Sequence, residues 1–259
     1  MPDILYSALL PLLLAGCATP AQHFEAVASD YGFIAQTVTG QPFVHRLYVN
    51  QPGKQTSQKQ LHVYLDGDGS PWKSDPTSRN PLILALMGQD PLPSILLGRP
   101  CYHELTASSL CNETFWTSKR YSAEVVESMA TALKNWLQKY PARKVTLIGY
   151  SGGGTLAVLI ADKIPAVQTV LTFAANLDVE NWAQGFGYQA LTESLNPMKQ
   201  KKLPERIRQI HLAGADDDVV PASIVKSYAE QQHAEYQLFP EFDHQCCWEE
   251  IWQKILQKI

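Results

Sequence analysis

The stretch Val145-Thr146-Leu147-Ile148-Gly149-Tyr150-Ser151-Gly152-Gly153-Gly154-Thr155-Leu156 decides the fold. Residues 145–148 read as a short strand buried on both faces. Residues 156–164 read as an apolar helix stopped by Pro165. Glycines at 149, 152 and 153 remove the Cβ atoms that would clash in so sharp a joint. They lift Ser151 above the strand end in a strained backbone state. Its Oγ then stands over the free N–H groups of the following helix, which favour developing negative charge. A strand-to-helix turn accepts Gly and Ser for structural reasons alone. The strand–turn–helix context makes Ser151 a candidate nucleophile.

Outward from this turn, strand-like and helix-like patterns alternate. β-rich runs at 33–38 and 43–49 are followed by a Gln/Ser/Lys-rich turn at 50–60, a run at 61–65, a short helix at 81–87 and a strand at 94–97. Ser122 N-caps a helix whose apolar residues Val125, Val126, Met129, Leu133, Trp136 and Leu137 fall at three- and four-residue steps, and Pro141 stops it. Strands are expected at 167–173, 207–212 and 236–239. Pro221 opens one helix, and 248–259 forms a last amphipathic one. This order predicts an α/β fold with one mostly parallel sheet covered on both faces. No linker or repeat divides it. The expected organisation is a signal segment 1–16, a polar tether 17–30 and one domain 31–259. Residues 176–202, long and poorly periodic, read as a short cap excursion over the sheet's C-terminal edge.

Composition excludes several classes. The chain has 259 residues, 45% hydrophobic and 18% charged, with 21 basic against 25 acidic. That apolar content supports a sizeable core and argues against global disorder. No basic excess exists to neutralise nucleic-acid phosphates. No apolar run reaches the ~18 residues of a membrane span. The cysteine and histidine spacing resembles no zinc site, so no metal is expected. Gly67-Asp68-Gly69 is too short for dinucleotide binding, and no cofactor is expected. A small-molecule substrate is the partner that remains.

His244 follows the last strand in Phe242-Asp243-His244-Gln245, just before the last helix, and is the candidate base. His23 lies in the leader, while His45, His62 and His211 fall in strands. His233 ends a helix, and His103 is a candidate site neighbour. After the strand at 207–212 comes Gly214-Ala215-Asp216-Asp217-Asp218-Val219-Val220-Pro221. After the strand at 61–65 comes Asp66-Gly67-Asp68-Gly69.

Together with the Gly149-Tyr150-Ser151-Gly152-Gly153 turn, these pieces resemble the α/β-hydrolase superfamily, from residue 33 to the C-terminus. The resemblance implies a triad in the order Ser, Asp, His, and an acyl-enzyme mechanism. Its acid loop places the carboxylate three residues after a Gly and four before a Pro. That is Asp217, leaving Asp216 and Asp218 as turn or capping residues. Asp178, after the strand at 167–173, is the rival acid. The oxyanion hole falls on the backbone N–H groups of Gly152 and Asp68. A carboxylate at position 68 departs from the common His-Gly-x-Gly pattern, and opposes an oxyanion unless it points away or serves a cation.

More narrowly, the chain resembles proteobacterial hydrolase-like lipoproteins. The similar blocks are Gly67-Asp68-Gly69 with Pro71-Trp72, Arg79-Asn80-Pro81, Arg99-Pro100-Cys101-Tyr102, Trp116-Thr117 with Arg120-Tyr121-Ser122, and Ser194-Leu195-Asn196-Pro197. The expected activity is serine hydrolysis of a carboxylic ester. A peptidase or acyltransferase on the same triad, and a non-catalytic envelope binding protein, are the alternatives. Trp72, Trp116, Trp182 and Trp248 are candidates to line an apolar pocket, with core packing as their default.

Leu14-Ala15-Gly16-Cys17, after the apolar run 8–15, resembles a bacterial lipoprotein signal box, although Asp3 and no Lys or Arg precede the run. The resemblance implies cleavage before Cys17, lipid on its thiol and new amino group, and anchoring to the outer membrane facing the periplasm. Four cysteines then remain, and an exported chain permits disulfides. Cys101 and Cys111 are near enough to close a short loop. A Cys246–Cys247 bridge has adjacent Cα atoms ~3.8 Å apart, below the usual span, and a cross-bridge to Cys101 or Cys111 is its rival.

Overall fold

A computed structural model of the chain describes residues 18–50 and 58–259. Eight strands form one sheet: β1 (Ile34–Thr39), β2 (Val44–Val49), β3 (Gln58–Leu65), β4 (Ser94–Leu97), β5 (Ala142–Tyr150), β6 (Val167–Phe173), β7 (Arg208–Gly214) and β8 (Glu235–Phe239). Their order is β1-β2-β4-β3-β5-β6-β7-β8. The β1–β2 and β2–β4 pairs are antiparallel, and every pair from β4 through β8 is parallel. The sheet is mostly parallel, as the alternation of elements predicts.

Successive side chains on a strand face opposite ways, so each central strand feeds two cores. Leu61, Val63 and Leu65 of β3 and Val145 and Leu147 of β5 join one core with α3 (Ala123–Lys139), α4 (Gly152–Ala161) and α6 (Ala222–Gln232). Tyr64, Ile148 and Tyr150 join the other with α1 (Pro20–Asp30), α2 (Leu82–Gly88) and α7 (Trp248–Leu256). Every residue of α4 is buried, which explains why its sequence is apolar on all sides. A seventh helix, α5 (Val179–Gly185), lies in the excursion between β6 and β7.

Several boundaries differ from expectation. The helix after the serine turn begins at Gly152 and ends at Ala161, because the glycines themselves supply its first turn. The polar tether is corrected more substantially. Residues 20–30 form α1, with a Thr19–Gln22 capping box and with Phe24 and Ala28 buried against the sheet. His103 is also corrected: it is buried against Phe24 and Tyr48, away from the serine. Trp116 and Trp248 are core residues. Among the described residues no helix is long and apolar enough to cross a membrane. Cys17 and the signal segment lie outside the described residues.

Both disulfides join sequence neighbours. Cys101–Cys111 has S–S 2.00 Å and Cα–Cα 5.5 Å. Cys246–Cys247 is a vicinal bridge with Cα–Cα 3.7 Å, so the rival cross-bridge is not formed.

Candidate active site

The C-terminal ends of β3, β5 and β7 and the loop after β8 converge on one cavity of about 910 Å³. Ser151 leads α4 with φ 50° and ψ −123°, a left-handed conformation that side chains rarely adopt. The turn has no room to relax. A Cβ on Gly153 would lie 2.1 Å from Leu65 O, and one on Gly149 would lie 2.5 Å from Gly153 O. Packing therefore holds the serine in its strained state.

His244 Nε2 lies 3.1 Å from Ser151 Oγ. Its Nδ1 lies 2.9 Å from Asp217 Oδ2 and 3.1 Å from Oδ1. The Asp217 carboxylate is buried and is itself fixed by the N–H groups of Val219 (3.0 Å) and Val220 (2.8 Å). This acceptor on Nδ1 directs the imidazole to present Nε2 to the serine. Asp216 and Asp218 are exposed. Asp178 caps α5, accepting from Asn181 N and from Asn196 Nδ2 at 2.8 Å, and does not reach His244.

Asp68 sits where the oxyanion donors are expected. Among the described residues neither its N–H nor that of Gly152 has an acceptor. The carboxylate does not turn away: a Cβ on Gly152 would meet Asp68 Oδ1 at 2.0 Å and Tyr121 Oη at 2.5 Å. Its charge is answered instead. Arg99 Nη2 lies 2.6 Å from Oδ1, Arg120 Nη1 lies 2.8 Å from Oδ2, and Tyr121 Oη lies 2.8 and 2.6 Å from the two oxygens. Tyr102 Oη donates to the Asp68 carbonyl at 3.0 Å. Burial would push this carboxyl up, but the two guanidiniums and Tyr121 hold it below the usual carboxylate range. Arg99 is buried between the rings of Tyr102 and Tyr121, 5.6 and 5.4 Å from their centroids, and Asp68 keeps it charged.

No sequence motif signals this clamp, although Arg99-Pro100-Cys101-Tyr102 and Arg120-Tyr121-Ser122 stand among the blocks similar to the hydrolase-like lipoproteins. Nor does the sequence mark Asp66 as a site residue. This residue lines the cavity at the end of β3, where burial pushes its carboxyl up to about 7. Of the four candidate tryptophans, Trp72 and Trp182 line the cavity and so depart from the default of core packing.

An esterase from Pyrococcus furiosus superposes with a TM-score of 0.63 at 13% identity, over 99% of both chains. An α/β serine hydrolase without lid from Xanthomonas campestris superposes with a TM-score of 0.53 at 12% identity, over 87% of this chain and 94% of that one. This chain has the α/β-hydrolase fold. The family described as Lipase (class 3) matches residues 98–183. Within the hydrolase fold that segment runs from the end of β4 into α5, and so includes Ser151 but neither Asp217 nor His244. No curated protein matches the sequence.

Proposed function

We propose that this protein is a serine hydrolase that cleaves the acyl bond of a small-molecule carboxylic ester. The observation that carries this reading is the Ser151–His244–Asp217 relay, with Oγ–Nε2 at 3.1 Å and the acid on Nδ1. His244 Nε2 takes the Ser151 proton as Oγ attacks the ester carbonyl carbon. The carbonyl electron pair moves to oxygen, which the N–H groups of Gly152 and Asp68 stabilise. Collapse expels the alkoxide, which leaves as the alcohol with the proton from His244. Water then gives a proton to His244, attacks the acyl-enzyme and releases the carboxylic acid, returning the proton to Ser151. Asp217 holds the imidazole tautomer throughout.

The anchor belongs to the same proposal. Leu14-Ala15-Gly16-Cys17 supports lipid attachment at Cys17 and an outer-membrane location facing the periplasm. Because α1 starts at Pro20, only Ala18 and Thr19 separate that cysteine from the folded body. Metabolic labelling with a palmitate analogue, lost in Cys17→Ala, checks this.

The activity test is labelling by a fluorophosphonate probe with a panel of p-nitrophenyl esters, thioesters and anilides. Wild type should be labelled and turn over short esters. Ser151→Ala should lose both while keeping its circular-dichroism spectrum. A wild type that is neither labelled nor active on any member of the panel sinks the proposal.

A further inference from the structure

The cavity over Ser151 has two unlike sides. Around Asp68, three segments meet: Ser70 N donates to Pro76 O at 2.8 Å, and Arg120 reaches Asp68 from the third. Arg120 is held twice, with Nη1 on Asp68 Oδ2 and Nε on Thr117 O, both at 2.8 Å. Among the described residues that hold leaves Nη2 without a hydrogen-bond acceptor, on a side chain that lines the cavity and is 11% exposed. Arg79 lines the same side, is exposed, and has no ion-pair or hydrogen-bond partner among the described residues. The single Asp68 carboxylate already faces Arg99 and Arg120, so this side carries surplus positive charge before Arg79 is counted. Asp66 opposes it weakly, since burial keeps that carboxyl partly protonated near neutrality. The other side is apolar. Trp182 is fixed by its Nε1 on Val219 O at 2.7 Å, and the Tyr188 ring lies 5.2 Å from it.

We infer that the cavity selects an ester carrying an anionic group, a carboxylate or phosphate, which sits between Arg120 Nη2 and Arg79 while an apolar part rests on Trp182 and Tyr188. The inference deepens the ester-hydrolase reading and rests on it. A guanidinium already fixed by a carboxylate loses little side-chain freedom when its second edge meets an anion. A neutral ester leaves that edge and Arg79 to water.

Matched substrates test it. p-Nitrophenyl valerate and p-nitrophenyl hydrogen glutarate differ by a terminal carboxylate on the acyl side. Phenyl butyrate, 4-carboxyphenyl butyrate and 4-(butyryloxy)phenyl phosphate place either anion on the leaving group, and separate carboxylate from phosphate. At least one anionic ester should exceed its neutral counterpart about tenfold in kcat/KM, mainly through KM. Arg79→Gln should shrink that ratio severalfold, as should 0.5 M salt, given the exposure of Arg79. Arg120→Lys, which keeps the charge but loses the fork, should shrink it as well. Equal rates on charged and neutral esters in the wild type, or a ratio untouched by Arg79→Gln, overturn the inference while leaving the hydrolase reading standing. Absence of all turnover and of fluorophosphonate labelling removes both.

Discussion

At the scale of single residues, the site joins a strained serine to a buried Asp68 carboxylate whose charge two arginines answer. Ser151 holds φ 50° because the backbone of Leu65 and Gly153 leaves its neighbouring glycines nowhere to go. Asp217 accepts from His244 and from two backbone N–H groups, and Asp217→Asn should keep that geometry but permit the wrong imidazole tautomer. A kcat lower by about 10⁴ in steady-state ester hydrolysis is expected. In the proposed reaction Asp68 is a positioning residue: four side chains grip it, and its own N–H has no acceptor and would meet the oxyanion. Tyr121→Phe removes the hydroxyl from the carboxylate but keeps the ring under Arg99. It should lower kcat about tenfold with KM unchanged, less than loss of a direct oxyanion donor. A raised KM with unchanged kcat would instead assign Tyr121 to substrate contact. Ser151 and His244 were legible as candidates because each follows a readable strand, whereas Asp217 and Asp178 both do and only the resemblance preferred Asp217. The clamp was not, because Asp68, Arg99 and Arg120 come from three loops whose meeting only packing determines.

The elements show where periodicity suffices and where it fails. α3 was readable from its apolar steps and the Ser122 cap, which accepts from Val125 N. α1 was missed because only Ala21, Phe24 and Ala28 face the core on an otherwise polar helix. The available signal was the Thr19-Pro20-Ala21-Gln22 start, a capping box with proline in the first turn. If α1 belongs to the folded body, Phe24→Ala should cost about 3–5 kcal/mol in urea unfolding, since the ring is fully buried against Tyr48 and His103. A change below about 0.5 kcal/mol, typical of surface positions, would return the segment to a tether.

For the whole molecule, buried titratable groups set the response to acid. Burial lowers His45 to about 4, and His103 and His211 to about 3, from 6.5. Their contribution to stability is complete above pH 6.5 and is lost as pH falls. Asp66 acts the other way: raised from 3.8 to about 7, its contribution is present at low pH and lost as pH rises through 7. Near pH 5, unfolding thus takes up three protons on the imidazoles and releases one from Asp66, a net two. Stability should then fall by about 2 kcal/mol on acidification from pH 6 to 5. Asp66→Asn should steepen this by about 1 kcal/mol, read from urea unfolding at the two pH values. An unaltered slope in the variant would show that Asp66 titrates normally.

Asp217 was preferred to Asp178 only through the superfamily resemblance, whereas the sequence by itself determined the alternation of strands and helices, the parallel sheet and the candidacy of Ser151 and His244. These follow from local periodicity, turn chemistry and the order of loops along one sheet edge. Only the tertiary structure decided that the carboxylate of Asp68 is tolerable beside Gly152, that α1 is part of the body, and which bridges the cysteines make. The first two depend on atoms far apart in the chain, while the bridges join cysteines ten and one residues apart whose pairing three connectivities left open. Whether a charge is opposed or answered is settled by distance in space, and two arginines 31 and 52 residues downstream of Asp68 supply the answer.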